Sequence, residues 1–372
     1  LGPVLATGIT WAPFGWPAIF SAPLATVNFL NLAADRNILI KDGRSLELLG
    51  KVDTVVFDKT GTLTMEQPHI GAIHAVNGYS HEEVLTLAAC AEYRQAHPIA
   101  RAIIEAAESA GLDVPTPDHT DYRSGMGLRV AHNGRQIWIG SERFMEANAI
   151  QMPDVSQIYS DAQIHGASLV YVAVDDTLIG VIELLPKYRP EVQTIIDALH
   201  DRDIEVMVIS GDHEAPTRRL AERFGIDRYH AQTLPEDKAA LVKALQAEGR
   251  SVCFVGDGIN DGIALKTANV SISIQGSTNI ALDAAQVVFM DRTLNQLPYL
   301  IDLSQRFNRN MNLLMTLSTV PGGVVIGGVF LFGWTLPVVA ALTGALAAGM
   351  IGVALAPALR ERLANSNQNR MS

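Results

Sequence analysis

The sequence has 372 residues, more than one ordinary domain holds and enough for two or three. Hydrophobic residues make up 48% and charged ones only 18%, which excludes an intrinsically disordered chain and points to a membrane. A formal charge of −11 argues against a basic nucleic-acid-binding surface, so no nucleic-acid partner is expected.

No charged side chain precedes Asp35, so residues 1–34 hold enough apolar length for a bilayer crossing of about 20 residues. Pro3, Pro13, Pro17 and Pro23 interrupt that stretch. It reads equally well as an unwound ion-site helix or as a kinked hydrophobic anchor. The chain opens on Leu1 and is expected to continue upstream. From Asp35 to Asn308 the composition is that of a soluble protein, with alternating strand-like and helix-like runs and no repeat. Cys90 and Cys253, too few and too far apart for a disulfide framework or a CxxC zinc site, fall in this part and are expected to stay reduced.

Three β-branched runs each stop at a polar cluster. Thr54–Phe57 leads into Asp58-Lys59-Thr60-Gly61-Thr62-Leu63-Thr64, Val206–Ile209 into Ser210-Gly211-Asp212, and Val252–Val255 into Gly256-Asp257-Gly258-Ile259-Asn260-Asp261. Short apolar runs followed by helical patterns, such as Ala215–Phe224, suit buried strands of a parallel sheet, whose ligands gather at the carboxyl ends. Asp58 can act as a carboxylate nucleophile on a phosphoryl group. Asp58 and Asp257, helped by Asp261, suit a Mg²⁺ that bridges phosphate oxygens. The Ser210 hydroxyl and Gly211 N–H can hydrogen-bond the transferring group. Lys238, in Thr233-Leu234-Pro235-Glu236-Asp237-Lys238, supplies a point positive charge. A single Asp of this kind is more often a turn or cap residue; four such clusters on one sheet make that reading a minor one.

Between Thr64 and about Asp176 an insertion reads as a small α+β domain. Cys90 to Ala100, containing Glu92 and His97-Pro98, opens an amphipathic helix expected to run through Ala107. Gly125-Met126-Gly127 and Gly140-Ser141 follow on strand-like hairpins. By itself a GxG is a tight turn and a His-Pro a helix start. No GxxxxGK[ST] loop occurs, which excludes a P-loop ATP site.

After Arg309 no charge occurs until Arg360, so residues 310–359 offer two crossings joined by a turn at Gly333-Trp334-Thr335-Leu336-Pro337. Arg306, Arg309, Arg360 and Arg362 place both ends on the cytoplasmic side.

Asp58 to Thr64, with Gly256 to Asp261, resembles the P-type ATPases within the haloacid-dehalogenase-like superfamily. His97, Glu92 and the two glycines resemble the nucleotide-binding domain of their heavy-metal subgroup. The resemblance implies an α/β fold, a haloacid-dehalogenase-like Rossmannoid phosphorylation domain with an inserted α+β nucleotide-binding domain, plus transmembrane α-helices. Its boundaries are transmembrane segments over 1–34, the phosphorylation domain over 35–65 and 177–308, the nucleotide-binding domain over 66–176, a helical hairpin over 309–360 and a cytoplasmic tail over 361–372. It implies that Asp58 takes the γ-phosphate of ATP, that Mg²⁺ sits on Asp58, the Thr60 carbonyl and Asp257, and that Ser210, Gly211, Asp212 and Lys238 surround the phosphate. Glu92 and His97 are expected to orient adenosine, while Gly125 and Gly127 let backbone approach the phosphates. Related phosphatases carry a second Asp two places after the nucleophile; Thr60 in that place leaves the acyl-phosphate without an acid/base and favours a pump.

The membrane part departs from the subgroup. Its Cys-Pro-Cys falls on Phe14-Gly15-Trp16, its Tyr-Asn on Thr319-Val320, and its Met and Ser-Ser on Gly344 and Ala347-Ala348. No thiolate, imidazole or carboxylate remains for a soft metal; Met311, Met315, Met350, hydroxyls and carbonyls are the surviving donors. Pro186 stands where an Asp precedes the pattern seen as Arg189-Pro190, and Gly262-Ile263-Ala264-Leu265 replaces Ala-Pro-Ala-Leu. The actuator domain is expected upstream. The expectation is ATP-driven translocation of a cation of unknown identity across a lipid bilayer, with the catalytic domains cytoplasmic. The alternatives are a non-transporting regulator and a membrane-tethered phosphatase.

Overall fold

The computed structural model describes residues 16–65, 67–123, 127–256, 261–275 and 279–368. Phe14, Gly15, Gly125 and Asp257, singled out above, lie outside the described residues.

The described chain begins with helix α1 (Trp16–Ala34), strand β1 (Ile38–Ile40), helix α2 (Arg44–Leu49) and strand β2 (Thr54–Asp58). The insertion follows as β3 (His69–Ala75), α3 (His81–Glu92), α4 (Pro98–Ser109), β4 (His119–Arg123), β5 (Gly127–His132), β6 (Arg135–Gly140), α5 (Glu142–Ala147), α6 (Ser156–His165), β7 (Ser168–Val174) and β8 (Thr177–Leu185). The chain then returns through α7 (Val192–His200), β9 (Glu205–Ile209), α8 (Glu214–Phe224), β10 (Arg228–His230), α9 (Pro235–Ala247) and β11 (Val252–Val255). It ends with α10 (Gly262–Thr267), β12 (Val270–Ile274), α11 (Asn279–Ala284), β13 (Val287–Phe289) and two long helices, α12 (Leu297–Phe332) and α13 (Leu336–Gln368).

The first sheet has the order β1-β13-β12-β11-β2-β9-β10, and only β1 is antiparallel to its neighbour. The three β-branched runs of the sequence are its neighbours β11, β2 and β9. β2 and β11 are buried at every position, as strands covered by helices on both faces must be. Because these strands are parallel and adjacent, the polar clusters that follow them emerge at one edge.

The second sheet, β3-β8-β7-β6-β5-β4, is antiparallel throughout. It includes β8, so the insertion extends to Leu185 and the boundary expected at 176 moves: Thr177–Leu185 pairs with both β3 and β7. The single helix expected from Cys90 to Ala107 is two helices. Pro98 lacks the N–H that a continuing helix needs and pushes His97 out of the helical region, to φ −76° and ψ 159°. His97 thereby caps α4, its Nδ1 accepting the Ala100 N–H at 3.2 Å.

The core of the first sheet continues into the apolar helices α1 and α12. Phe57, Val206 and Val255 share one cluster of buried side chains with Phe29 and Leu32 of α1 and with Leu300, Leu303 and Phe307 of α12. Phe29 meets Phe307 edge to face, with centroids 5.3 Å apart. Helix α12 runs without a break across the boundary expected at 309, and α13 continues through most of the expected tail. Two described helices, α12 and α13, are long and apolar enough to cross a membrane, and α1 is a shorter apolar helix. Among the described residues α1 is unbroken despite Pro23.

Pro357 in α13 cannot donate to the Val353 carbonyl four residues back. Asn310 of α12 donates to that carbonyl at 3.1 Å, and Asn28 of α1 donates to the next one, Ala354, at 3.1 Å. Two asparagines thus satisfy backbone that a proline disturbs and pin three helices together.

Candidate functional site

The loop after β2 turns at once. Thr60 has φ −77°, ψ 126° and Gly61 has φ +74°, ψ −14°, the pair of conformations of a type II turn, whose second position favours glycine. The Thr64 hydroxyl accepts the Gly61 N–H at 3.1 Å and closes the loop on itself. Asp58 is thereby left at the strand tip, 5% exposed.

Lys238 reaches it from α9. Its Nζ lies 2.5 Å from Asp58 Oδ1 and 2.7 Å from Asp261 Oδ1, so one ammonium bridges two carboxylates from different strand ends. All three side chains are buried. Gly256 makes room, since a Cβ there would stand 2.9 Å from Asp261 Oδ2. Burial pushes the Asp58 carboxyl up to about 6; Asp261 adds to the rise and Lys238 opposes it. Burial works against the Lys238 ammonium, but the two carboxylates outweigh it and hold its pKa above the ordinary lysine value.

The tip of β9 joins the same edge. Asp212 pairs with Lys59, the residue after Asp58. Burial lowers the Lys59 ammonium to about 8, with Asp58 acting the other way. Ser210 is buried, and its Oγ accepts the Asp212 N–H at 3.1 Å, fixing the turn that carries Gly211. The structure therefore brings together Asp58, Lys238, Asp261, Ser210 and Asp212. Thr60 is exposed and offers no carboxylate.

In the insertion, His97 Nε2 lies 3.1 Å from Glu92 Oε2. Because Nδ1 accepts a backbone N–H, the proton of the neutral ring belongs on Nε2, facing Glu92. Burial raises the Glu92 carboxyl to about 7 and lowers His97. Gly127 pairs with Gly140 at the end of the β5–β6 hairpin. A Cβ on Gly127 would meet the Ile139 carbonyl and the Phe144 ring at 2.5 Å, so the room this glycine leaves is taken by protein atoms.

Residues 52–269, more than half of the chain, match the haloacid dehalogenase-like hydrolases. The chain belongs to that family. Its homologues are metal-transporting P-type ATPases. Over 313 residues it is 34% identical to a zinc-exporting P-type ATPase of Mycobacterium marinum, covering 82% of this chain and 43% of that one. It is equally similar, 34%, to a manganese-exporting P-type ATPase of Mycobacterium bovis, covering 82% of this chain and 44% of the other. Among solved structures, a zinc-transporting PIB-type ATPase in an E2.Pi state superposes with a TM-score of 0.77 at 30% identity, over 91% of this chain and 55% of that one. The chain spans less than half the length of these two curated relatives.

Three residues of this haloacid dehalogenase-like centre escape a reading of the sequence. Arg189 donates through Nε to the Thr62 carbonyl at 2.8 Å, through Nη2 to Gly61 at 3.1 Å and through Nη1 to Arg292 at 2.8 Å. One guanidinium so holds the loop after Asp58 from more than a hundred residues away. In the sequence it was visible only as part of an Arg-Pro pair. Lys59, which the sequence shows inside the loop motif but without a role of its own, is 6% exposed. Thr62 is fully buried, and its hydroxyl has no hydrogen-bond partner among the described residues. A buried hydroxyl without a partner costs stability unless something arrives to accept from it.

Proposed function

We propose that this chain is the catalytic and carboxyl-terminal membrane part of an ATP-driven cation transporter that works through an aspartyl-phosphate on Asp58. The observation that carries the reading is the buried Asp58–Lys238–Asp261 arrangement, standing on a core continuous with the helices that are apolar enough to cross a bilayer. The reading makes the whole protein multi-pass, with its catalytic domains in the cytoplasm and an actuator domain upstream.

In this reading an Asp58 carboxylate oxygen attacks the γ-phosphorus of ATP, the bond to the β–γ bridging oxygen breaks, and ADP leaves. Lys238 offsets the charge that accumulates on the phosphoryl oxygens, and the Ser210 hydroxyl, the Gly211 N–H and the unpartnered Thr62 hydroxyl are donors for them. Asp212 holds Lys59, and Arg189 holds the loop, so that Asp58 is presented in one orientation. Thr60 supplies no general acid or base, so water is not activated from this position and the mixed anhydride persists.

The donors present suit Mg²⁺. Asp58 and Asp261 offer hard carboxylate oxygens to one cationic centre, now the Lys238 ammonium, and the Thr60 carbonyl and Asp257 would complete the set. When bound, Mg²⁺ neutralises phosphate charge. Among the described residues no group of three His, Cys, Asp or Glu is placed to hold a metal ion. Glu92 and His97 are assigned to the adenosine end of ATP.

The transported ion is a proposal of class only, a divalent or soft metal cation. Thr319 and Val320, the positions of the subgroup's Tyr-Asn, are exposed on α12, whereas the neighbouring Ser318 is buried. That shift, together with the absence of thiolate, imidazole and carboxylate donors from residues 310–359, favours the second reading, a regulatory ATPase that moves no ion. Full-length protein reconstituted in vesicles separates the two. Transport predicts that Zn²⁺, Mn²⁺, Co²⁺, Fe²⁺ or Cu⁺ raises ATP turnover; turnover indifferent to all five overturns it.

A further inference from the structure

A cavity of about 590 Å³ opens between α1, α12 and α13 where these helices leave the uncharged part of the sequence. Its floor is apolar, made by Phe29, Leu313 and Pro357, and its rim carries Arg306, Arg309, Arg360 and Glu361. Arg309 and Arg360 are the two charges that bound residues 310–359. The rim therefore lies at the depth of lipid headgroups and the floor at the depth of acyl chains.

The charges at the rim are not balanced. Glu361, the one carboxylate lining the cavity, is already engaged by Tyr299 Oη at 3.0 Å and Arg306 Nη2 at 3.1 Å, with Arg36 Nη2 at 3.7 Å. Arg309 and Arg360 are exposed and have no ion pair or hydrogen bond among the described residues. Arginines at helix ends commonly reach toward headgroups one by one. Here two unpaired guanidiniums from antiparallel helices converge on one cavity with an apolar floor.

We propose that this cavity binds one anionic glycerophospholipid, an inference that rests on the reading of α12 and α13 as membrane-crossing helices. The planar donors of Arg309 and Arg360 match the oxygens of a phosphodiester, and the floor receives the first methylenes of an acyl chain. A zwitterionic choline headgroup would bring its ammonium in among the guanidiniums and is disfavoured. A free phosphate ion would leave the floor uncovered.

The test uses full-length protein purified in detergent. Phospholipid retained after washing is identified by mass spectrometry, and dioleoylphosphatidylglycerol is then titrated back against dioleoylphosphatidylcholine. The site predicts retention of about one anionic lipid per chain and saturable rebinding of phosphatidylglycerol. Arg309→Gln with Arg360→Gln weakens that rebinding by about tenfold or more, since each lost charge-assisted bond contributes of order a decade. Arg309→Lys with Arg360→Lys restores part of it. Both side chains are exposed and unpaired, so the variants keep their thermal midpoint in lipid-free detergent. Unchanged rebinding in the glutamine variant, or equal preference for phosphatidylcholine, overturns the proposal. So does displacement of the lipid by millimolar inorganic phosphate, which marks an ion site. Recovery of the protein from the soluble fraction without detergent refutes the membrane reading itself, and that fractionation precedes any lipid measurement.

Discussion

Replacing Glu92 by Gln keeps the shape of a buried side chain and removes its charge. Burial raises the Glu92 carboxyl from 4.5 to about 7, so the folded state holds its proton more tightly than the unfolded chain does. The stability this contributes is fully present below about pH 4.5 and is lost as pH rises through 7. By pH 8 the ionised carboxylate costs the insertion about 3 kcal/mol, whereas at pH 5.5 the cost is only about 1 kcal/mol. Cys90 lies two residues before Glu92 and is fully buried, so its alkylation requires the insertion to open; Cys253, fully buried in β11, reports on the other sheet. In Glu92→Gln, Cys90 should be alkylated about 100-fold more slowly than in the parent at pH 8, and about tenfold more slowly at pH 5.5. Cys253 should be unaffected at both. A ratio for Cys90 that stays the same across that range would refute the reasoning, because it would mean that the carboxyl is not the group being titrated.

Other outcomes follow from single contacts. Lys238→Met leaves Asp58 and Asp261 buried without their cation and should cost about 3–5 kcal/mol in urea unfolding, part of which Asp261→Asn in the same chain recovers; equal stability of the single and double variants would contradict this. Arg189→Ala should destabilise the same domain by about 2–3 kcal/mol and slow phosphoryl transfer more than it weakens ATP binding. Arg189→Lys should fail to restore the rate, because an ammonium cannot reach three carbonyls as a fork; full rescue would show that charge alone is needed. Asn310→Leu should destabilise the helix assembly by about 1 kcal/mol in the parent and by much less beside Pro357→Ala, where Val353 regains a backbone donor. Absence of coupling in that double-mutant cycle would dissociate the asparagine from the proline.

Much of the candidate site was legible because its signals are local. A buried strand ending in Asp58, a glycine two places after Thr60's predecessor for the turn, and two more strands ending in Ser210 and Gly256 can each be read within a dozen residues. Their order in the sheet, which puts β2 between β11 and β9, was not legible, because a pattern of parallel strands leaves open which of them are neighbours. Arg189, by contrast, acts across more than a hundred residues, and nothing beside it indicates which carbonyls it will meet. The edge of the insertion was misplaced because β8 is as apolar as a strand of the first sheet, and only pairing decides its membership. The break before His97 was legible in principle, since proline disfavours helix in the residue ahead of it, but the amphipathic pattern runs through on both sides. Lys59 lies inside the loop motif, but nothing local to it shows that Asp212 will face it.

The central claim is that Asp58 becomes phosphorylated by ATP. Full-length protein mixed with γ-phosphate-labelled ATP and Mg²⁺, then quenched in acid, should carry a label that hydroxylamine removes, and Asp58→Asn should carry none while remaining folded. Hydroxylamine-sensitive label of undiminished amount in Asp58→Asn would place the nucleophile elsewhere and contradict the account.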